Sequence, residues 1–218
     1  MSKSNKYGYV GVDVPEQSFG NNKGIFNPAE INELVADNKW TSFGQLELIE
    51  TQTVSSATSL IFNNIKEDVY NVHFLTINDM QFSISGENLA MRLSTDNGST
   101  FITSGYQYGQ QYGQSSSGFG ELKYTSRAYW DNFSSNITGT NSKAGMYIYL
   151  YNLGDSTKYS FYTSQSTATV QTSIEYQMRF GSGVLATASV HNAFQLDGDG
   201  HTSKLSSGTY SLYGIRYS

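Results

Sequence analysis

From Gln45 to the C-terminus, apolar and polar residues follow a period of two, the spacing of a strand with one face buried. "QLELIETQTV" alternates. "YNVHFLTINDM" sets Val72, Phe74 and Thr76 on one face against His73, Leu75 and Ile77 on the other. "NLAMRLST", "AGMYIYLYNL", "TKYSFYTSQST", "SIEYQMRF", "GVLATASVHNAFQL" and "GTYSLYGIRYS" continue the series. Turn-forming clusters such as Asp96-Asn97-Gly98, Asn152-Leu153-Gly154-Asp155 and Asp197-Gly198-Asp199-Gly200 separate them. About eight to ten such strands, with no helix among them, predict two sheets packed face to face.

Residues 1–44 follow a different pattern. "KYGYVGVDVPEQSFGNNKGIF" has short apolar pairs broken by Gly and Pro, too sparse for a core of its own. "NPAEINELVADNKW" then carries helix signals: Asn27 as N-cap, Pro28 at the first helical position and Glu30 completing a capping box. Ile31, Leu34 and Val35 share one side of a short amphipathic helix ending near Asn38. A helix this short needs a surface to dock on. The expected organisation is an extended attachment arm with one short helix over 1–44 and a β-sandwich over 45–218. Ile25, Phe26, Leu34 and Trp40 are the arm's apolar anchors, and either its own domain or a neighbouring subunit can receive them.

Composition sharpens this picture. Hydrophobic residues make up 38% of the 218-residue chain and charged residues only 14%, while there are 17 Tyr and 12 Phe. Aromatic rings thus supply much of the buried area, and the surface is covered by Ser, Thr, Asn, Gln and Gly. The net charge of -5 and the scattered Lys and Arg argue against nucleic-acid binding, which needs clustered cations along phosphates. With no Cys, there is neither a disulfide nor a thiolate metal site. No stretch approaches the roughly 18 apolar residues of a membrane span, and the N-terminus lacks a secretory pattern, so synthesis in a cytoplasm is the expectation.

The segment 104–120, "SGYQYGQQYGQSSSGFG", is low in complexity and is expected to be a long loop. Its rings Tyr106, Tyr108, Tyr112 and Phe119 either hold it on the surface or make it a contact loop. Ser94-Thr95-Asp96-Asn97-Gly98-Ser99-Thr100-Phe101 matches the S-x-D-x-G-x-T-aromatic pattern of an Asp-box. Asp96 is expected to accept turn amide protons, Gly98 to take the left-handed position and Phe101 to tuck inward. A single copy marks a structural hairpin, not a glycosidase. Asp197 and Asp199 have the spacing that opens a calcium loop, yet the twelfth position is Gly208 instead of a carboxylate. Turn formation is favoured there, with a weak calcium or magnesium site at a subunit junction as the alternative. His73, His191 and His201 form no local ligand cluster. The Asn-x-Ser/Thr patterns at Asn97, Asn132 and Asn136 are of chance frequency in so Asn- and Ser-rich a chain. No hydrolase, nucleotide-binding or zinc-protease motif occurs, no cofactor is implied, and Glu47 with Glu50 or Glu67 with Asp68 are better read as solubilising strand ends.

The C-terminal "SSGTYSLYGIRYS" resembles the last strand of jelly-roll domains in virion structural proteins of tailed bacteriophages. "GQLELIETQTVSSATSLIFNNI", "YNVHFLTIND" and "LAMRLSTDNGSTF" are similar to the early strands of those domains, especially in phages of marine cyanobacteria. "GIFNPAEINELVADNKW" resembles the linker that precedes them. The Tyr/Gln/Gly segment departs from that pattern. The resemblance implies a non-enzymatic virion protein: a capsid decoration, fibre, neck or tail component located in the virion. It would contact other capsid or tail proteins and form homo-oligomers, often trimers. The alternative is a carbohydrate- or receptor-binding fibre tip, with Tyr106, Tyr108, Tyr112 and Trp130 stacking on sugars.

Overall fold

The computed structural model describes residues 28–36, 46–84, 86–134, 141–170, 175–199 and 204–215. The chain divides into two compact units, Met1–Gly44 and Gln45–Ser218. In the first, helix α1 is described over Pro28–Ala36, and its expected end near Asn38 lies outside the described residues. Ile31 and Leu34 are half-buried, whereas Ala29, Asn32, Glu33 and Ala36 are exposed, so the helix has one apolar stripe. Ile25, Phe26 and Trp40, the other expected anchors, lie outside the described residues, as do Asn27, Asn136 and His201.

The second unit is all β. Its strands are β1 (Leu46–Val54), β2 (Ser59–Phe62), β3 (Val72–Phe82), β4 (Leu89–Ser94), β5 (Tyr106–Gln114), β6 (Gly118–Arg127), β7 (Ala144–Tyr151), β8 (Ser160–Val170), β9 (Glu175–Leu185), β10 (Ala193–Gly198) and β11 (Leu205–Ile215). Every pairing is antiparallel. The large sheet runs β1-β11-β3-β7-β8-β9-β5-β6 and the small one β2-β10-β4. Successive elements cross between sheets in jelly-roll order: β1, β3, β7 and β11 lie in one layer, and β2, β4 and β10 in the other. The segment at 130–134 takes the fourth place in the small layer, because Trp130 and Met91 exchange both backbone bonds and Leu89 bonds Phe133 and Ser134. Two insertions, the β5–β6 and β8–β9 hairpins, widen the large sheet beyond β7.

Alternation decides what enters the core. On β3, His73, Leu75 and Ile77 point inward while Phe74 and Thr76 face outward. On β7, Met146, Ile148 and Leu150 do the same against outward Tyr147, Tyr149 and Tyr151. From the small sheet come Phe62, Leu89, Met91, Leu93, Phe194 and Leu196, with Phe62 and Phe194 stacked at 4.9 Å. Each such buried side chain contributes about 1.5–3 kcal/mol.

The segment 104–120 is not a loop. Residues 106–114 and 118–127 form β5 and β6, and only a tight turn separates them. "YQYGQQYGQ" keeps period two, so Tyr106, Tyr108, Gln110 and Tyr112 share one face, and that face is inward. Tyr106 is fully buried and its hydroxyl accepts the Leu93 amide proton at 2.8 Å, tying the large sheet to β4. With it, the outer edge of β4 has partners at Leu89, Met91 and Leu93, since Leu93 also accepts from Ile102. Gly/Gln/Tyr composition suggested a loop, but the pleat prevailed, and several glycines of the large sheet leave room for a ring. Tyr162 lies over Gly183, Tyr112 over Gly120 and Tyr70 over Gly214.

A Cβ at Gly183 would stand 2.5 Å from the Tyr162 ring and 2.6 Å from the Gln107 carbonyl oxygen, whereas one at Gly109 meets nothing within 4 Å. Gly183→Ala should therefore lower unfolding free energy by about 1–3 kcal/mol in urea titrations. Gly109→Ala should stay within about 0.5 kcal/mol of the parent. Equal costs at the two positions would contradict the ring-on-glycine packing.

Candidate functional site

Four sets of residues carry chemistry, and burial separates them. The first is a buried polar network that the sequence did not signal. Arg127, at the end of β6, is ion-paired with Asp131 four residues on, and Asn132 donates to Asp131 Oδ1 at 2.6 Å and to the Tyr108 hydroxyl at 3.2 Å. Arg179 on β9 donates to Asn132 O and Oδ1, each at 3.0 Å, and lies over the Tyr112 ring. Gln110 donates to the Asp131 carbonyl and to the Tyr162 hydroxyl, both at 3.0 Å. Burial pushes Asp131 up to about 6 and pulls Arg179 down to about 10. These groups bond one another across β5, β6, β9 and the 127–134 segment, while Gln110 Oε1 and Arg127 Nε are buried without a hydrogen-bond partner among the described residues. Their chemical effect is to seat Trp130, whose ring meets Tyr106 at 5.2 Å and Tyr162 at 5.0 Å.

The second set is histidine-centred. His73 Nε2 lies 2.8 Å from the Ile65 carbonyl, and burial pulls its pKa down to about 4. His191 is in the loop before β10, not in a strand. Its Nδ1 is 2.8 Å from Ser160 Oγ, its Nε2 is 3.0 Å from Ser189 Oγ, and burial lowers it too to about 4. A Ser–His contact is the minimum for nucleophilic catalysis, but here a hydroxyl stands where a carboxylate would stabilise an imidazolium. A base near 4 is also poorly matched to neutral pH.

The third set comprises the turn and acid motifs. Asp96 accepts from Ser94 Oγ at 2.7 Å, Thr100 N at 2.8 Å and Thr100 Oγ1 at 2.6 Å, and these bonds, Thr100 foremost, lower it to about 2. Gly98 has φ +84° and Ile102 N returns to Leu93 O, so a tight turn forms around Asp96, but residues 101–105 form no strand to complete the expected hairpin. Phe101 departs from expectation: it is only half-buried and lies 5.8 Å from the Arg92 guanidinium. Asp197 is ion-paired with Arg92 at 2.8 Å, while Asp199 accepts from Asn88 N at 3.2 Å and Nδ2 at 3.0 Å. The two carboxylates therefore face different partners instead of a shared cation. Among the described residues, no group of three or more His, Asp or Glu gathers as a metal site would require.

The fourth set is the outer face of the large sheet. Register builds it row by row. Tyr213, Phe74, Tyr149, Thr163 and Ser182 form one row; Tyr151, Phe161, Val184 and Gln107 form the next; Tyr147, Gln165, Phe180 and Gln111 form a third. Tyr147 is 39%, Phe161 41%, Phe180 42% and Tyr176 48% exposed. The Tyr147 hydroxyl donates to Gln165 at 2.6 Å, and Phe74 packs on Tyr149 at 4.6 Å, which orders the array. One open depression of about 390 Å³ lies over Phe74, Thr76, Tyr147, Gln165 and Tyr176. A second, about 620 Å³, lies over Gln107, Lys123, Thr125, Phe161, Ser182 and Val184.

The ring set expected to contact sugars is thereby corrected. Tyr106 and Trp130 are fully buried and Tyr108 nearly so, because all lie on the inward face or under it. Tyr112 is half-buried beneath Arg179, and Phe119 alone of the expected contact rings is open, at 80% exposure. The outward rings on β7, β8 and β9 were legible as the alternate positions of "YIYLY", "FYTSQ" and "YQMRF". No family model, curated protein or solved structure matches the chain.

The buried histidines set a pH dependence. Each has a folded value near 4 against an ordinary 6.5, so their contribution is full above about pH 6.5 and is lost as pH falls toward 4. Asp131, raised from 3.8 to about 6, acts oppositely: its contribution is full below 3.8 and lost as pH rises through 6. Each shift corresponds to roughly 3 kcal/mol, so the two histidines outweigh one aspartate. Urea unfolding at pH 4 should give a free energy about 2–4 kcal/mol below that at pH 7. A flat or rising profile would contradict the buried neutral histidines.

Proposed function

We propose that the chain is a non-enzymatic structural module of a phage-type virion that acts through contact surfaces: its N-terminal segment, the outer face of its large sheet, and self-association. The observation that carries this reading is the outer face. Soluble monomers rarely leave a contiguous aromatic patch in water, and such patches mark contact sites. Here the rings are interleaved with Thr, Ser and Gln, and charge is nearly absent from the central rows. Aromatic enrichment with charge depletion characterises the core of protein interfaces. The partners in this reading are other capsid or tail proteins, and the half-buried Ile31 and Leu34 stripe of α1 suits an attachment element. The histidine contacts support the non-enzymatic part, since neither has a carboxylate partner or a pKa near neutrality.

A second reading, glycan binding, is favoured by the depression over Phe161 and Val184. There, rings lie beside the amide of Gln107 and the hydroxyls of Thr125 and Ser182.

In lysates of cells producing the particle, the chain should co-sediment with assembled particles on a density gradient. The Phe161→Ser/Phe180→Ser variant should move to the free fraction with its melting temperature nearly unchanged, because both rings are exposed. A wild-type chain found only in the free fraction would overturn the virion reading. A glycan-array signal lost in the same variant would select the second.

A further inference from the structure

The large sheet ends in two open strands, β1 and β6, and they differ. β1 is bulged between Leu48 and Glu50, it carries Glu47 and Glu50, and Gln52 on it reaches across to the Ile61 carbonyl. Bulges and repeated like charge are the devices that blunt a sheet edge. Over its first seven residues β6 is unbulged: Gly118–Tyr124 pairs with β5 in unbroken register, without proline, the bulge falling beyond it between Tyr124 and Arg127, and its charges, Glu121 and Lys123, alternate in sign instead of repeating. Among the described residues, no backbone group outside β5 bonds to β6. Its outward side chains, Phe119, Glu121 and Lys123, are exposed.

We propose that β6 pairs antiparallel with β6 of a second copy of this chain about a two-fold axis at Leu122, joining two large sheets into one. An isologous antiparallel pairing matches each residue with another on the same face, so its axis passes through a residue and the matched numbers sum to an even value. Three centres lie within the charged part of the strand. Centring on Glu121 sets glutamate against glutamate, and centring on Lys123 sets lysine against lysine. Centring on Leu122 sets Glu121 opposite Lys123 of the second copy, and Lys123 opposite its Glu121. Both cross-strand pairs are then attractive, Leu122 meets Leu122 on the inner face, and Phe119 is carried toward Thr125 of the second copy. The sequence of the strand thus selects one register. Within one copy, Glu121 and Lys123 bond at 2.9 Å, but both are largely exposed and that contact contributes little to the fold. Their alternation makes more physical sense across the edge.

This pairing specifies the self-association in the function proposed above, but it is tested apart from any particle. Sedimentation equilibrium of the full chain at micromolar concentrations should show a reversible monomer–dimer equilibrium. Glu121→Lys alone and Lys123→Glu alone each place like charges opposite one another twice, and each should raise the dimer dissociation constant at least about tenfold. An equimolar mixture of these two variants should form heterodimers with near wild-type affinity, because every cross-strand pair is again attractive. The Glu121→Lys/Lys123→Glu double variant should dimerise by itself. Melting temperatures should stay together throughout, since the substituted side chains are exposed. A wild-type chain that remains monomeric, single variants that associate as the parent does, or a mixture that fails to associate would each overturn the proposal. A wild-type chain that dimerises in this way yet stays free of particles would instead count against the virion reading and leave the pairing standing.

Discussion

Seating tyrosine rings on glycine backbone is the constraint on which the large sheet depends. Tyr162 over Gly183, Tyr112 over Gly120 and Tyr70 over Gly214 each fill the space a Cβ would have taken, and each joins neighbouring strands or the segment beside them. A sheet poor in branched aliphatic residues acquires its packed surface this way. At these three places tyrosine and glycine are two halves of one packing solution. Three of the buried hydroxyls find donors, Tyr162 accepting from Gln110, Tyr106 from Leu93 and Tyr108 from Asn132, whereas that of Tyr210, whose ring lies by Gly208, has no partner among the described residues. Rings with such partners enter a core without leaving a polar group unpaired.

That packing makes the two inserted hairpins part of the sandwich. The jelly-roll strands alone would form a large sheet of β1, β11, β3 and β7 over a small one. Adding β8, β9, β5 and β6 widens one sheet without widening the other, so the inner face of the addition needs a cover. The 127–134 segment provides it, with Trp130 and Phe133 packed on Tyr106 and Tyr162 and with Asp131, Asn132 and Arg179 bonded around them. The outer face has no equivalent cover among the described residues. The asymmetry leaves a broad neutral aromatic face uncovered among the described residues, beside the open strand edge at β6.

How far the sequence disclosed this depended on whether period and composition agreed. "AGMYIYLYNL" and "YNVHFLTINDM" have both strand composition and alternation, and their inward residues were identifiable directly. The turn at Asp96 was legible because one short stretch holds all its partners. "YQYGQQYGQ" has the alternation but loop-like composition, and composition misled; Tyr106 is covered by Trp130 and β4 and Tyr108 by Asn132 and Gly183, which no local pattern shows. Trp130 was mistaken for an exposed ring for the same reason, since its cover comes from β5 and β8. Asp131 and Arg179 left no signal, because a buried ion network is assembled by topology and not by spacing. The charge alternation of Glu121 and Lys123 was visible in the sequence, but its meaning required knowing that β6 ends a sheet.

Amide hydrogen exchange across β5 tests the central claim most directly, because it asks whether a Tyr/Gln/Gly segment is structural core. Backbone amides of Tyr106–Gln114 that bond to β9 and β6 should exchange only through the same large-scale opening that exposes β3, with protection comparable to Val72–Phe82. Exchange of the whole Tyr106–Gln114 segment at the rate of an unstructured peptide, while β3 stays protected, would contradict the account.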